Sequence, residues 1–250
     1  MRRQTLRKTA IYASFLLFPV TIYYFSPELI LMAAAEGILS GSAVVFGLLF
    51  LSGLFFGRAW CGWLCPGGGL QEACLRVVRK PVGPRRWIKY LIFWPWLGGI
   101  LILAARAGGF HGVNPLYQMP RGISFVEPGA WVIYFGFVTL IALLALTAGR
   151  RGFCHHACWM APFLIAGASL RERFGWPALR LEGSPAACSG CGRCTSRCPM
   201  SLDVQGMVRR GRMADGDCIL CGECVDGCPR GAIRYTFRPP ARLPVLPVKE

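Results

Sequence analysis

The chain has 250 residues, of which 54% are hydrophobic, and it carries a formal net charge of +16. This combination excludes an ordinary soluble globular domain and favours a membrane protein with a basic cytoplasmic side. No nucleic-acid partner is expected, because the arginines are spread over several loops and do not line one groove-sized face.

Four apolar runs are close to the ~20 residues that an α-helix needs to cross a bilayer; they cover residues 11–25, 40–57, 90–105 and 130–148. The first run follows a basic arm and fits a cleaved signal peptide or a retained helix. We favour the retained helix because further spans follow it. Residues 28–37 carry two glutamates and are too short to span, so an outside or re-entrant segment is expected there.

The distribution of basic residues predicts the orientation of these spans. Of the 28 Lys and Arg residues, four lie in the N-terminal arm, seven in residues 58–89 and fifteen from residue 150 onward. Only Arg106 and Arg121 lie in the two other loops. Because basic loops stay inside, we expect a multi-pass protein of the cytoplasmic membrane with both termini on the cytoplasmic side.

A cysteine pattern is repeated after the second and fourth runs. Both copies read R-x-aromatic-C-x3-C, and their cysteines are Cys61 and Cys65, then Cys154 and Cys158. Such a duplication indicates two helix pairs related by a pseudo-twofold axis. On a helix, C-x3-C spacing places both thiols on one face, so the two pairs are predicted to converge on one four-sulfur site.

Three interpretations of this site remain open. It could be a redox or metal centre, either a third iron–sulfur site or a reactive dithiol. It could be a structural joint, or the cysteines could be ordinary buried residues. Cys74 has no counterpart in the repeat and is assigned a structural role. His155 or His156 could tune or ligate the site, although solvated interfacial histidines are the simpler interpretation.

The strongest pattern lies further along the chain, where C-x2-C-x2-C-x3-C-P occurs twice. This is the bacterial spacing for [4Fe–4S] ligation, in which the fourth cysteine of each copy ligates the other cluster. We therefore predict two clusters, the first held by Cys188, Cys191, Cys194 and Cys228, and the second held by Cys218, Cys221, Cys224 and Cys198. Zinc or disulfides are much weaker alternatives, because both copies are complete.

These features predict the domain organisation. Residues 1–170 should form an α-helical integral membrane bundle of about four spans in two pseudo-repeated pairs. Residues 171–240 should form a small cytoplasmic α+β dicluster ferredoxin domain, and residues 241–250 a tail. Residues 179–181 and 233–237 are expected to be short strands that flank the cluster loops, with a helix between them in residues 202–215.

The paired C-x3-C motifs and the two four-cysteine motifs together resemble the NapH-type membrane polyferredoxins. This group includes ferredoxin-like components of periplasmic nitrate reductase, nitrous oxide respiration and methylamine utilisation systems. Residues 57–66 and 188–229 carry the resemblance most specifically, whereas proline does not directly follow Cys158 as the pattern would require. The resemblance implies a membrane-anchored iron–sulfur protein that relays electrons between a cytosolic or quinol donor and a membrane or extracytoplasmic redox partner.

The expected partners follow from this resemblance and from the charge. They are the lipid bilayer, a redox protein such as an acidic ferredoxin or flavodoxin that the basic face would attract, and a quinone. An electron-transfer component of an oxidoreductase system is favoured over a complete enzyme. The alternatives are a stand-alone quinone or metal-ion reductase that uses the membrane cysteines, and a non-redox assembly or transport accessory.

Overall fold

A computed structural model of the chain describes residues 2–124 and 129–239. Its α-helices are α1 (Arg2–Leu16), α2 (Phe18–Thr21), α3 (Pro27–Ala35), α4 (Gly41–Phe56), α5 (Ala59–Trp63), α6 (Pro66–Cys74), α7 (Ile88–Arg106), α8 (Ala130–Thr147), α9 (Gly152–His156), α10 (Ala161–Phe174), α11 (Arg193–Ser196), α12 (Val204–Arg209) and α13 (Glu223–Asp226). Its strands are β1 (Ile38–Ser40), β2 (Gly112–Asn114), β3 (Ala178–Gly183) and β4 (Ile233–Arg238). The predicted tail, residues 241–250, lies outside the described residues.

Two of the described helices, α7 and α8, are long and apolar enough to cross a membrane. A third crossing results if Phe18–Phe25 and α3, which are bent by 47° relative to each other, act as one broken span. Helix α4 is apolar but has only 16 residues. The prediction of membrane-capable helices is confirmed, while the count of four spans stays a prediction.

The first predicted span is not a single helix. Helix α1 begins in the basic arm at Arg2 and ends at Leu16, and a short helix and a 3-10 turn carry the chain on to Phe25. Pro19 lies at the start of that short helix, and proline interrupts a helix because it has no N–H to donate and its ring crowds the preceding turn. The chain can therefore change direction here.

Two glycines set the distance between α4 and α10. A Cβ on Gly53 would lie 2.8 Å from the carbonyl oxygen of Leu164, and a Cβ on Gly167 would lie 2.5 Å from that of Phe50. Small residues of this kind allow two helix backbones to approach closely. Helix α10 therefore packs directly on α4.

The repeated cysteine pattern corresponds to a repeated structure. In each copy a long apolar helix (α4 or α8) is followed by a five-residue helix (α5 or α9) and then by a helix that starts with proline in its first turn (α6 or α10). Because both copies have the same order, their two cysteine pairs occupy equivalent places. The duplication read from the sequence is thus a structural duplication.

A small α+β unit, residues 178–238, follows α10. Strands β3 and β4 pair antiparallel from Ala178 opposite Arg238 to Gly183 opposite Ile233. Helices α11 and α13 carry the middle of the two four-cysteine motifs, and α12 lies between them in sequence. The predicted strands are confirmed, whereas the helix predicted in residues 202–215 covers only Val204–Arg209. We call residues 178–238 the dicluster unit.

Candidate functional site

The dicluster unit contains two small cavities, and each is lined by four cysteines. One cavity, of about 20 Å³, is lined by Cys198, Cys218, Cys221 and Cys224. The other, also of about 20 Å³, is lined by Cys188, Cys191, Cys194 and Cys228. The fourth cysteine of each motif therefore lies with the trio of the other motif, in the same grouping that the sequence predicts. We call these sets the inner quartet and the outer quartet, respectively.

Glycines with positive φ angles shape the loops around both quartets. Gly192 and Gly222 adopt positive φ angles of 71° and 78° immediately before α11 and α13, a conformation that glycine adopts without steric cost. The backbone N–H of Leu220 donates toward Cys218, and that of Glu223 toward Cys221. Such donors stabilise cysteine thiolates and help to set the potential of a bound cluster.

The donor set fits iron–sulfur clusters. Burial raises the pKa of Cys218 to about 12 and that of Cys221 to about 11, so these thiols need a metal to displace their protons. In the described part of the chain, no three His, Cys, Asp or Glu side chains are arranged to hold a single metal ion. Four cysteines around each cavity, in C-x2-C-x2-C-x3-C-P spacing, fit a [4Fe–4S] cluster.

The two quartets differ in their access to solvent. Cys191 of the outer quartet is exposed, whereas Cys221 and Cys224 of the inner quartet are buried. The inner quartet packs against the membrane-edge segment, residues 58–66, which contains α5. The indole Nε1 of Trp63 donates to the carbonyl oxygen of Leu220 at 3.1 Å, and Gly62 lies directly against Ile219. The inner quartet is therefore the one next to the membrane cysteines.

The four membrane-edge cysteines come together as predicted. Cys61, Cys65, Cys154 and Cys158 are all buried and line one cavity of about 110 Å³. The remaining lining is mostly apolar and includes Phe25, Phe137 and Trp159. The cavity extends away from the cysteines as far as Glu28. We call these four residues the membrane quartet.

The local geometry of the membrane quartet differs from the expected one. Cys61 lies in α5 but Cys65 precedes α6, and Cys154 lies in α9 but Cys158 follows it. Each C-x3-C pair thus spans the end of a short helix and the turn after it, because α5 and α9 end within two residues of their first cysteine. The convergence comes from the packing of the two repeats and not from one helical face.

Gln71 is a site residue that the sequence did not point out. Its side chain is fully buried on α6 and lines the cavity. The amide Nε2 donates to Cys154 Sγ at 3.1 Å, and the amide Oε1 accepts from the Cys154 N–H at 3.4 Å. Gln71 therefore connects one repeat to a cysteine of the other repeat. Cys74, on the same helix, does not line the cavity.

Two buried ion trios surround the membrane quartet. Glu72 is shared by Arg7 and Arg151, with 2.6 Å from a carboxylate oxygen to each guanidinium. Asp217 is shared by Arg58, at 2.7 Å, and by Lys89. Burial disfavours the Glu72 carboxylate, but Arg151 and Arg7 outweigh it and lower the pKa to about 2. Each trio holds two cations and one anion.

The two trios use equivalent arginines of the repeat. Arg58 and Arg151 each stand three residues before the first cysteine of their copy, and each is only 1% exposed. The sequence shows this spacing, but the acidic partners come from distant parts of the chain. Among the described residues, Arg58 Nε and Nη2 and Arg151 Nε are buried without a hydrogen-bond partner.

The expectation of a solvated His155 is wrong. Its ring is fully buried, with Nε2 3.1 Å from the carbonyl oxygen of Met200 and Nδ1 3.9 Å from Asp217. Burial lowers the pKa of His155 to about 4 against the opposite effect of Asp217. Its contacts with Met200 and Asp217 join α9 to the dicluster unit. His156 is half-buried and contacts the carbonyl oxygen of Gly152.

Comparisons with known proteins give the same division of the chain. A model described as a 4Fe-4S dicluster domain matches residues 187–233. A second, described as a 4Fe-4S binding domain, matches twice, at residues 38–85 and 129–177. The first match covers the dicluster unit, and the two matches of the second each contain one membrane cysteine pair.

Related proteins decide the family. The methylamine utilization ferredoxin-type protein MauN of Paracoccus denitrificans is 31% identical over 79% of this chain and 68% of its own length. The chain belongs to the membrane-type polyferredoxins. Other polyferredoxins that it matches are the ferredoxin-type protein NapH of Haemophilus influenzae, at 26% identity over 80% of this chain and 68% of NapH, and the putative electron transport protein YccM of Escherichia coli, at 24% over 75% and 54%.

Membership confirms the resemblance and its general implications. This polyferredoxin is an iron–sulfur, electron-transfer type of protein with helices that suit a membrane. It spans only about half to two thirds of the length of the relatives that it matches. No solved structure matches the chain.

Proposed function

We propose that this polyferredoxin relays electrons from a cytoplasmic donor through the outer and inner quartets to the membrane quartet, and from there to a membrane or extracytoplasmic partner. The observation that carries the proposal is the serial packing of three cysteine quartets. The outer quartet faces solvent, the inner quartet contacts the membrane-edge segment at Gly62 and Trp63, and this segment carries Cys61 and Cys65 of the membrane quartet.

In this proposal the eight cysteines of the outer and inner quartets ligate two [4Fe–4S] clusters. A bound cluster of this type accepts and donates one electron at a time. The protein supplies position and electrostatics: backbone N–H groups face the sulfurs of Cys218 and Cys221. The outer quartet, with its exposed Cys191, would meet a soluble donor, and burial of the inner quartet would exclude water from the next step.

The orientation is proposed from the charge distribution. Because 26 of the 28 Lys and Arg residues lie in three of the five non-spanning segments, the positive-inside rule puts these segments in the cytoplasm. Residues 1–170 would then form the membrane domain of the cytoplasmic membrane, and residues 171–240 the cytoplasmic dicluster domain. A donor would approach from the cytoplasm.

A basic cleft supports an acidic donor. The cleft has a volume of about 400 Å³ and opens where α1, the end of α6 and the dicluster unit meet. Five cations line it: Lys8, Arg76, Arg79, Arg150 and Arg197. Its two carboxylates, Glu72 and Glu223, are already paired with basic side chains. A surplus of positive charge beside both cluster loops would steer an acidic ferredoxin or flavodoxin to the clusters.

A second candidate function is a stand-alone quinone or metal-ion reductase. The observation that favours it is the apolar cavity that continues from the membrane quartet to Glu28, because mostly apolar cavities with a few polar groups are the usual binding sites of small organic ligands. In this case the membrane quartet would be a third metal or dithiol centre that delivers electrons to the cavity. A non-redox accessory role would need clusters that never change oxidation state.

The test is an EPR redox titration of the purified chain together with iron and sulfide counts. The relay predicts at least about eight irons per chain and clusters that are reduced and reoxidised reversibly. Clusters that stay in one oxidation state throughout the biological range contradict both redox functions. Steady-state turnover by the isolated chain with a quinone or metal acceptor would favour the second candidate over the relay.

A further inference from the structure

The membrane quartet is a single shared site. Each match to the 4Fe-4S binding model contains only one C-x3-C pair, and a cubane cluster takes four cysteine ligands. Neither repeat can supply four thiolates to its own cluster. The structure brings both pairs to one cavity, so the two copies can complete only one four-cysteine site between them.

The charges around the quartet require a negative partner. Arg7, Arg58, Lys89 and Arg151 are at most 1% exposed, and among the described residues two buried carboxylates, Glu72 and Asp217, face them. The partly buried Glu223 also pairs with Arg7 at 3.2 Å, which leaves a surplus of one buried positive charge. Burying a charge without a counter-charge is strongly unfavourable. Arg7 and Arg151 also lie near Cys221 of the inner quartet, so part of the surplus is shared with that quartet.

Arg58 is the buried arginine that lies near the membrane quartet, whereas Arg7 and Arg151 also lie near Cys221 of the inner quartet. It lies close enough to Cys61, Cys154 and Cys158 that negative charge on these sulfurs would stabilise its cation, in addition to Asp217. Two of its three guanidinium nitrogens, Nε and Nη2, have no hydrogen-bond partner among the described residues. Neutral thiols or a disulfide would leave this buried cation with Asp217 alone, and Lys89 already shares Asp217. A centre with lasting negative charge would balance it.

A thiolate-ligated cluster satisfies these conditions, because four deprotonated cysteines and the cluster that they hold carry a net negative charge. The membrane quartet, like each of the two ferredoxin quartets, consists of four cysteines around one cavity. A single zinc ion on four thiolates would also be negative, and metal analysis distinguishes the two.

We propose that Cys61, Cys65, Cys154 and Cys158 hold one [4Fe–4S] cluster, shared between the two repeats, whose net negative charge is balanced by Arg58 and Arg151. The inference rests on the proposed relay and specifies the chemistry of its third station. Gln71 is a positioning residue for this cluster, because its amide donates to Cys154 Sγ from the other repeat. The cluster lies at the end of the apolar cavity that leads toward Glu28.

The first test counts iron and acid-labile sulfide in the full chain, purified without oxygen in detergent. Wild type and the control Cys74→Ser, whose side chain is outside the cavity, are expected to hold about twelve irons, and Cys61→Ser/Cys154→Ser about eight. About eight irons in all three proteins would overturn the inference, as would a single zinc or copper ion lost with the two cysteines. Fewer than about eight irons in wild type would contradict the two-cluster assignment of the proposed function instead.

A second test does not depend on folding of the cysteine variant. In an EPR titration, Arg58→Gln should lower the midpoint potential of the third component more than those of the other two, because a nearby positive charge favours the reduced cluster. Arg58→Lys should restore most of the potential. Equal shifts in the glutamine and lysine variants, or no third component in wild type, would rule out the assignment.

Discussion

The Cα atom of Gly62 lies against the carbonyl oxygen of Ile219, so that the membrane-edge segment and the inner cluster loop touch with no side chain between them. A Cβ added at Gly62 would overlap this oxygen and would lie 3.5 Å from the Cα of Cys221. Gly62 stands between Cys61 and Cys65, and Ile219 between Cys218 and Cys221. This contact joins the two quartets.

Gly62→Ala should therefore separate the two quartets. We expect a loss of about 1–3 kcal/mol in the free energy of unfolding from overpacking, an unchanged iron content and slower electron transfer out of the inner quartet. Stopped-flow reduction followed by EPR measures the last effect. Gly47→Ala is the matched control, since nothing lies within 4 Å of a Cβ there. Equal electron-transfer rates in both variants would disprove a role for the contact.

The fourth cysteine of each motif lies with the three cysteines of the other motif, and this arrangement predicts which substitutions remove the same EPR component. Cys198→Ser should remove the same EPR component as Cys218→Ser, and Cys228→Ser the same one as Cys188→Ser, because each pair lines one cavity. Each variant is expected to lose about four irons. If Cys198→Ser instead matched Cys188→Ser, the grouping of the cysteines would be wrong.

Glu72 holds two buried arginines together, one from α1 and one from the second repeat. Glu72→Gln leaves Arg7 and Arg151 without their carboxylate, and we expect a loss of about 3–5 kcal/mol in the free energy of unfolding. Thermal unfolding in detergent measures it. Glu182→Gln is the control: its pair with Arg234 is exposed and should contribute at most about 1 kcal/mol. Similar losses in both variants would argue against the buried trio.

The same carboxylate predicts a dependence on pH. The pKa of Glu72 is about 2 in the fold against 4.5 normally, so its contribution is complete above pH 4.5 and disappears as the pH falls toward 2. The shift corresponds to about 3 kcal/mol. The difference in unfolding free energy between wild type and Glu72→Gln should therefore shrink between about pH 6 and about pH 3. A difference that stays constant over this range would refute the assigned shift.

The basic cleft predicts charge-dependent reduction by an acidic donor. Arg79→Glu, a substitution in the cleft lining, should lower the second-order rate of reduction by a ferredoxin or flavodoxin about tenfold at low salt. Raising the ionic strength should reduce this difference. Arg85→Glu makes the same charge change at an exposed residue outside the lining. Equal effects of the two substitutions would mean that overall charge, not the cleft, attracts the donor.

Local spacing predicted the parts of the fold that depend on neighbouring residues. The two motifs with C-x2-C spacing, the strands β3 and β4, and the apolar helices α7 and α8 all followed from patterns within one segment. The break near Leu17 was missed, because the apolar run continues through Pro19 and hydropathy does not register the lost hydrogen bond. The burial of His155 was missed because it results from packing against Met200, far away in the chain.

The sequence alone predicts the chemistry of this protein: eight of its thirteen cysteines fall into two four-cysteine motifs and four more into two C-x3-C pairs, and the charge distribution predicts their side of the membrane. The cysteine motifs are visible in the sequence because the ligands of each motif lie within one short loop, where the spacing between residues decides which side chains can bind together. Only the tertiary structure decided that the two membrane pairs share one cavity and that Gly62 contacts Ile219. It also placed Asp217 beside Arg58 and Glu72 beside Arg151. Those relationships join residues more than 60 positions apart, and packing, not spacing, brings them together.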